Sequence, residues 1–238
     1  MAIQRVLPSR NADGSSVVLP SRTGPYGEAY VTPVGSGYFG FGDEGSFFHA
    51  TNATVGTGIA GHAAPVVADA DTKPLLHLYN TGTKNIIPVY LHLHFTAIGA
   101  GGTLSYNVAY VDDAGATDRT GAGTAITPVN VKSDASDVTG ATIYFGAVTA
   151  VMVSSKKVFS AACREVIPVV QDHITVFFGN AAGAAPSGLT LAGTATANLV
   201  QFAPPVVIGP GGNFNFSRIR ASQSGADSYD FSFGYVER

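Results

Sequence analysis

The chain has no tryptophan, a single cysteine and two methionines, and only 12% of its residues are charged. One cysteine, Cys163, excludes an intrachain disulfide and with it the stapled scaffolds of small secreted domains. A soluble domain ordinarily carries roughly 25% charged residues. A surface this short of charge is poorly suited to a solitary monomer, so much of it is expected to face other subunits. Basic runs are absent too. The densest cluster is Lys156-Lys157, the net charge is −3 and the pI is about 6.0. Nucleic acid and anionic membrane surfaces are therefore excluded as expected partners. No stretch approaches the ~20 apolar residues of a membrane helix. Met1 to Pro8 holds no apolar run of signal-peptide length, so synthesis and assembly in a reducing cytoplasm are expected.

Catalytic signatures are missing as well. There is no Gly-x-Ser-x-Gly elbow, no Walker loop and no zinc-finger spacing. Two Gly-x-Gly-x-x-Gly strings, Gly35–Gly40 and Gly56–Gly61, open no helix, so they read as loops, not dinucleotide sites. Cys163 sits in an apolar run and reads as inert. Asp112, Asp113 and Asp118 read as a solvated turn in preference to a weak calcium site. The reading is of a non-enzymatic chain that needs no cofactor.

What the sequence does contain is strand pattern. In Ile86–Ala97, Val89, Leu91, Leu93 and Phe95 alternate with Tyr90, His92, His94 and Thr96, the period-2 signature of a half-buried strand. Ser46–Ala50, Leu75–Tyr79, Leu104–Val111, Ala125–Val131, Ala141–Val153, Val166–Val170, Ile174–Phe178, Leu189–Phe202, Val206–Ile208, Asn213–Ile219 and Tyr229–Val236 are further candidates, rich in Val, Ile, Thr, Tyr and Phe. Asp112-Asp113-Ala114-Gly115 predicts a hairpin turn. Helical spacing is nearly absent. The expected fold is an all-β antiparallel sandwich or jelly roll.

Residues 1–30 differ from the rest and predict an extended N-terminal arm ahead of a single β domain over 31–238. Val6-Leu7-Pro8-Ser9-Arg10 recurs as Val18-Leu19-Pro20-Ser21-Arg22, with Asn11-Ala12-Asp13-Gly14 as a turn between the copies. Proline holds both copies extended. Val6, Leu7, Pro8, Arg10, Val18, Leu19, Pro20 and Arg22 are the candidate interface residues, docking on similar grooves of neighbouring subunits. Lys132–Asp137 is the most linker-like internal stretch, and a division into two smaller β domains there stays open.

His92 and His94 lie two positions apart on one strand and so share a face. The cupin family uses such a pair for a metal, followed shortly by Glu. Here the pair is followed by Phe95-Thr96-Ala97-Ile98-Gly99, with no Glu. His77 is the candidate third ligand on a neighbouring strand, with His173 further off. Zinc sites usually take three or four protein ligands, so no metal site is assigned from the sequence.

The last third carries a resemblance. Ala203-Pro204-Pro205-Val206-Val207-Ile208-Gly209-Pro210-Gly211-Gly212-Asn213-Phe214-Asn215-Phe216 is a Pro-rich strand, a Pro-Gly turn and an aromatic strand. It resembles jelly-roll virion proteins of tailed bacteriophages. The closing run Tyr229-Asp230-Phe231-Ser232-Phe233-Gly234-Tyr235 and the early Pro25–Tyr30 and Gly45–Thr51 segments are similar to that group. The chain departs from it in lacking tryptophan and in its longer Pro-rich leader. The resemblance implies a capsid cement or decoration protein located in the virion, binding itself as a homotrimer and binding the major capsid protein. A neck or fibre component, or a carbohydrate- or receptor-binding sandwich, is the alternative.

Overall fold

The computed structural model describes residues 9–10, 16–17, 41–54, 56–62, 66, 68–102, 105–113, 115, 117–164, 168–179, 197–202 and 205–238. The chain divides into two units, Met1–Gly40 and Phe41–Arg238. In the first, β1 (Ser9–Arg10) pairs antiparallel with β2 (Ser16–Val17), Ser9 opposite Val17 and Arg10 opposite Ser16. Arg10 of the repeat lies in β1. Val6, Leu7, Pro8, Val18, Leu19, Pro20 and Arg22 lie outside the described residues.

The second unit is a sandwich of two sheets. The first sheet has the order β11 (Lys156–Arg164), β7 (Ser105–Asp112), β14 (Asn213–Arg220), β5 (Leu76–Asn80), β10 (Ala141–Phe145), β8 (Thr124–Ile126). The second has the order β13 (Ala197–Phe202), β12 (His173–Phe178), β6 (Ile86–Ala97), β15 (Ser228–Glu237), β3 (Phe47–Thr51), β9 (Val129–Asn130), with β4 (Ile59–Ala60) also on β15. Every pairing is antiparallel except β12 with β13. The chain passes from one sheet to the other between β4 and β5, β5 and β6, β6 and β7, β8 and β9, β9 and β10, β11 and β12, β13 and β14, and β14 and β15. This is the crossing habit of a jelly roll.

Alternation explains the core. Leu76, Leu78, Phe145, Phe214 and Phe216 point inward from the first sheet and meet Leu91, Leu93, Phe95, Phe231 and Phe233 from the second. Phe145 stacks on Phe231 with ring centroids 3.9 Å apart, and Phe178 meets Phe214 edge-on at 5.7 Å. Such pairs add about 0.5–1.5 kcal/mol beyond their area burial.

The first sheet is covered on its outer side as well, which is why every residue of β14 is buried. Asn215 donates to the Asp71 carbonyl at 3.0 Å, and the Ala150 N–H donates to the Thr72 carbonyl at 3.1 Å. Val66, Val108, Tyr110 and Ile219 form a second small core beneath these loops.

Several expected elements differ. Ala141–Val153 is a strand only to Phe145: Gly146 and Ala147 take φ of 69° and 50°, and the apolar residues that follow belong to a covering loop. Residues 168–170 are not strand. Ala125–Val131 is broken at Pro128 into β8 and β9. Asp112–Gly115 closes no hairpin, because β7 pairs with β11 and β14. Val206–Ile208 contributes a lone bridge, Ile208 to Ile86, so the Pro-Gly turn carries the chain between sheets. That turn has Pro210 and Gly211 at its centre, Gly211 at φ 75°, and the Gly212 N–H on the Gly209 carbonyl at 3.0 Å. Those are the residues a type II turn requires.

Candidate functional site

Three registered rows of side chains cross the outer face of the second sheet. Asp230, His94 and His173 form one row, and Thr51, Ser232, His92 and Thr175 the next. His49, Gly234, Tyr90 and Phe177 form the third. The polar half of the β6 alternation thus becomes a half-buried face with a single carboxylate and no Lys or Arg.

The imidazoles on this face touch. His92 Nε2 and His173 Nδ1 are 3.2 Å apart, and the His94 and His173 rings stack at 4.7 Å. His92 Nδ1 meets Thr175 Oγ1 at 2.8 Å, and His49 Nε2 meets Ser232 Oγ at 2.6 Å. Asp230 takes hydrogen bonds from Asn52 Nδ2 at 2.8 Å and the Gly56 N–H at 3.0 Å, and lies 3.7 Å from His94 Nδ1. Burial lowers the pKa of His92, and the charges of His173 and His94 lower it further. His173 is lowered by burial and then by His94, with Asp172 opposing.

His77 is not part of this group. It lies in the first sheet, fully buried, between Asn215 Oδ1 at 2.6 Å and Asp118 Oδ1 at 3.3 Å. The candidate triad of His77, His92 and His94 therefore does not form. The partner that joins the pair is His173, brought in by the β6–β12 pairing. Among the described residues no group of three or more His, Cys, Asp or Glu is arranged to hold a metal ion. The aspartates diverge as well: Asp112 accepts from the Val153 N–H at 2.9 Å and lies 3.4 Å from Arg119 Nε. Asp113 pairs with Lys156 at 2.7 Å, while Asp118 faces His77.

A polar cluster closes one end of the interior. Arg220, 1% exposed, pairs with Asp227 at 3.1 Å and donates to the Gly99 carbonyl. Asp227 also accepts from the Gly99 N–H at 2.8 Å and the Tyr229 hydroxyl at 3.0 Å. Arg218 lies over the Phe95 ring at 4.9 Å. These contacts join β6, β14 and β15 where the sandwich ends.

The two ends of the first sheet differ in kind. β11 carries Lys156 and Lys157, paired with Asp113 and Asp69. At the other end β8 is exposed at Thr124 and Ala125, and residues 120–131 contain no charged side chain. Among the described residues no backbone hydrogen bond reaches β8 from its outer side. In β9 the Asn130 N–H is taken by Asp137 at 2.6 Å, while Val129 is 46% exposed. Reading charges along the chain would have found this uncharged stretch; no sequence signal places His173 beside His92.

No family model, curated protein or solved structure matches the chain. No helix among the described residues is long and apolar enough to cross a membrane.

Proposed function

We propose that this chain is a non-enzymatic structural subunit of a virus particle, of the capsid cement or decoration type, which binds copies of itself, as a homotrimer, and the major capsid protein. The observation that carries this reading is the β8 edge. An open edge strand is a template for pairing with another chain, and monomeric proteins blunt it with Lys, Pro or a covering loop. β11 follows that rule with Lys156 and Lys157, whereas β8 carries no charge and is exposed at Thr124 and Ala125. An uncharged Thr124–Ile126 edge, exposed at Thr124 and Ala125 and followed by exposed Thr127, suits a neighbour's strand or arm added by backbone hydrogen bonds. The low overall charge and the likeness of the Pro-Gly turn and aromatic last strand to phage virion proteins support the same reading.

The test is the native mass by light scattering, for the wild type and for a variant with Ala125→Lys and Thr127→Lys. Both positions are exposed, so the fold is retained. The wild type is expected as a trimer or larger species and the variant as a single chain of 24.4 kDa. A monomeric wild type, or an unchanged variant, refutes the assignment of this edge.

One feature favours a second reading, a carbohydrate- or receptor-binding sandwich. A cleft of about 470 Å³ beside β8 is lined by Thr54, Thr57, Thr124 and Thr127 together with Ile59 and Ala125, and its threonine hydroxyls suit sugar hydroxyls. A glycan array without a binder removes it.

A further inference from the structure

We propose that His92 and His173 form a two-imidazole binding site for a first-row divalent transition metal, Cu²⁺, Ni²⁺ or Zn²⁺. Ring nitrogens on one tetrahedral zinc, at bonds of about 2.0–2.1 Å, lie about 3.3 Å apart. His92 Nε2 and His173 Nδ1 already stand at 3.2 Å. When Nδ1–H of His92 donates to Thr175 Oγ1, the His92 lone pair is on Nε2, directed at His173. A hydroxyl on the far nitrogen is the outer-shell support that fixes the tautomer and ring angle of a ligating histidine.

The second ring is held too. His173 stacks on His94 with planes 17° apart, and the register His173 opposite His94, Thr175 opposite His92 fixes all four side chains on two paired strands. Both imidazoles are half-buried on the outer face, so an ion reaches them without unfolding and water fills the remaining positions. Imidazole without a carboxylate or carbonyl set selects copper, nickel and zinc over magnesium and calcium. The site does not depend on the assembly reading above.

The experiment is calorimetric titration of the full chain, prepared without a polyhistidine tag, with CuCl₂, NiCl₂, ZnCl₂ and MgCl₂ at neutral pH. One equivalent per chain is expected, with Cu²⁺ tighter than Ni²⁺ or Zn²⁺, and no binding of Mg²⁺. His92→Gln and His173→Gln each weaken binding by on the order of tenfold or more, and Thr175→Val by about tenfold. His49→Gln, on the same face but bonded to Ser232, leaves binding unchanged. Histidine ring NMR of the wild type needs no variant: Zn²⁺ shifts the His92 and His173 signals and spares those of His49 and His77. Failure of the wild type to bind, shifts confined to other histidines, or equal losses from His49→Gln and His173→Gln in variants with wild-type circular dichroism would overturn the proposal.

Discussion

Asp227→Ala removes the one carboxylate that bonds to Arg220, Gly99 and Tyr229 at the closed end of the sandwich. Burial draws the Arg220 guanidinium below its ordinary value, and Asp227 is the first influence that opposes this. The side chains are 1% and 3% exposed, so water does not replace the lost partner. Breaking a buried pair from one side costs about 3–5 kcal/mol. The Gly99 N–H and the Tyr229 hydroxyl lose their acceptor as well, at about 1–3 kcal/mol each where no substitute forms. These costs overlap, and a total of about 5 kcal/mol or more approaches the whole stability of an ordinary domain, about 5–15 kcal/mol. Asp227→Asn keeps an acceptor at the same place and is expected to lose about 2 kcal/mol, the worth of a charge-assisted hydrogen bond. Urea denaturation followed by far-ultraviolet circular dichroism measures both, since the chain has no tryptophan to report by fluorescence. Asp227→Ala paired with Arg220→Met removes the stranded charge and should recover much of the loss. An Asp227→Ala chain within about 1 kcal/mol of wild type, or a double variant no more stable than the single one, refutes the reasoning.

Gly99→Ala acts on the same junction from the backbone: a Cβ there meets the Gly225 carbonyl oxygen at 2.0 Å, and a thermal melt should show a loss of about 3 kcal/mol or more. Burial holds His49, His77, His92 and His173 below the ordinary imidazole value, so between the unfolded value near 6.5 and the lowered folded values the unfolded chain binds more protons. Stability is therefore full above pH ~6.5 and falls as the pH drops below it, by at most about 1.4 kcal/mol per pH unit for each histidine, less where solvent screens. Melting curves that stay flat between pH ~7 and ~5 contradict this, because the lowered carboxylates Asp69 and Asp113 lose their contribution only further into acid. Deleting residues 1–24 should leave the circular dichroism of the sandwich intact and abolish incorporation into particles; normal incorporation removes the assembly role of the Val-Leu-Pro-Ser-Arg repeat.

The strand β6 was legible because its two faces meet different surroundings: Leu91, Leu93 and Phe95 enter the core while Tyr90, His92 and His94 face outward, and composition alternates with them. Where both faces are covered the pattern misleads. Alternation suggests a solvated side for His77, Asn213 and Asn215, yet all three are buried, because loops cross the outer side of the first sheet. The same covering explains Val148 and Ala150, apolar residues whose run looks like a strand and is in fact the inner side of a loop. An apolar run records burial and not the conformation that achieves it. Pairing is further from the sequence than burial. Asp112–Gly115 has good turn composition, but the strand it ends finds its partners at β11 and β14, so local turn chemistry had no hairpin to close. The His92–His173 contact depends on a register set by this same nonlocal pairing. Fold class and core therefore follow from residue types taken a few at a time, whereas a site assembled across strands requires the sheet order. The β8 edge lies between these cases. Its lack of charge is a local property of residues 120–131, and it acquires meaning only once β8 is known to be the last strand of its sheet.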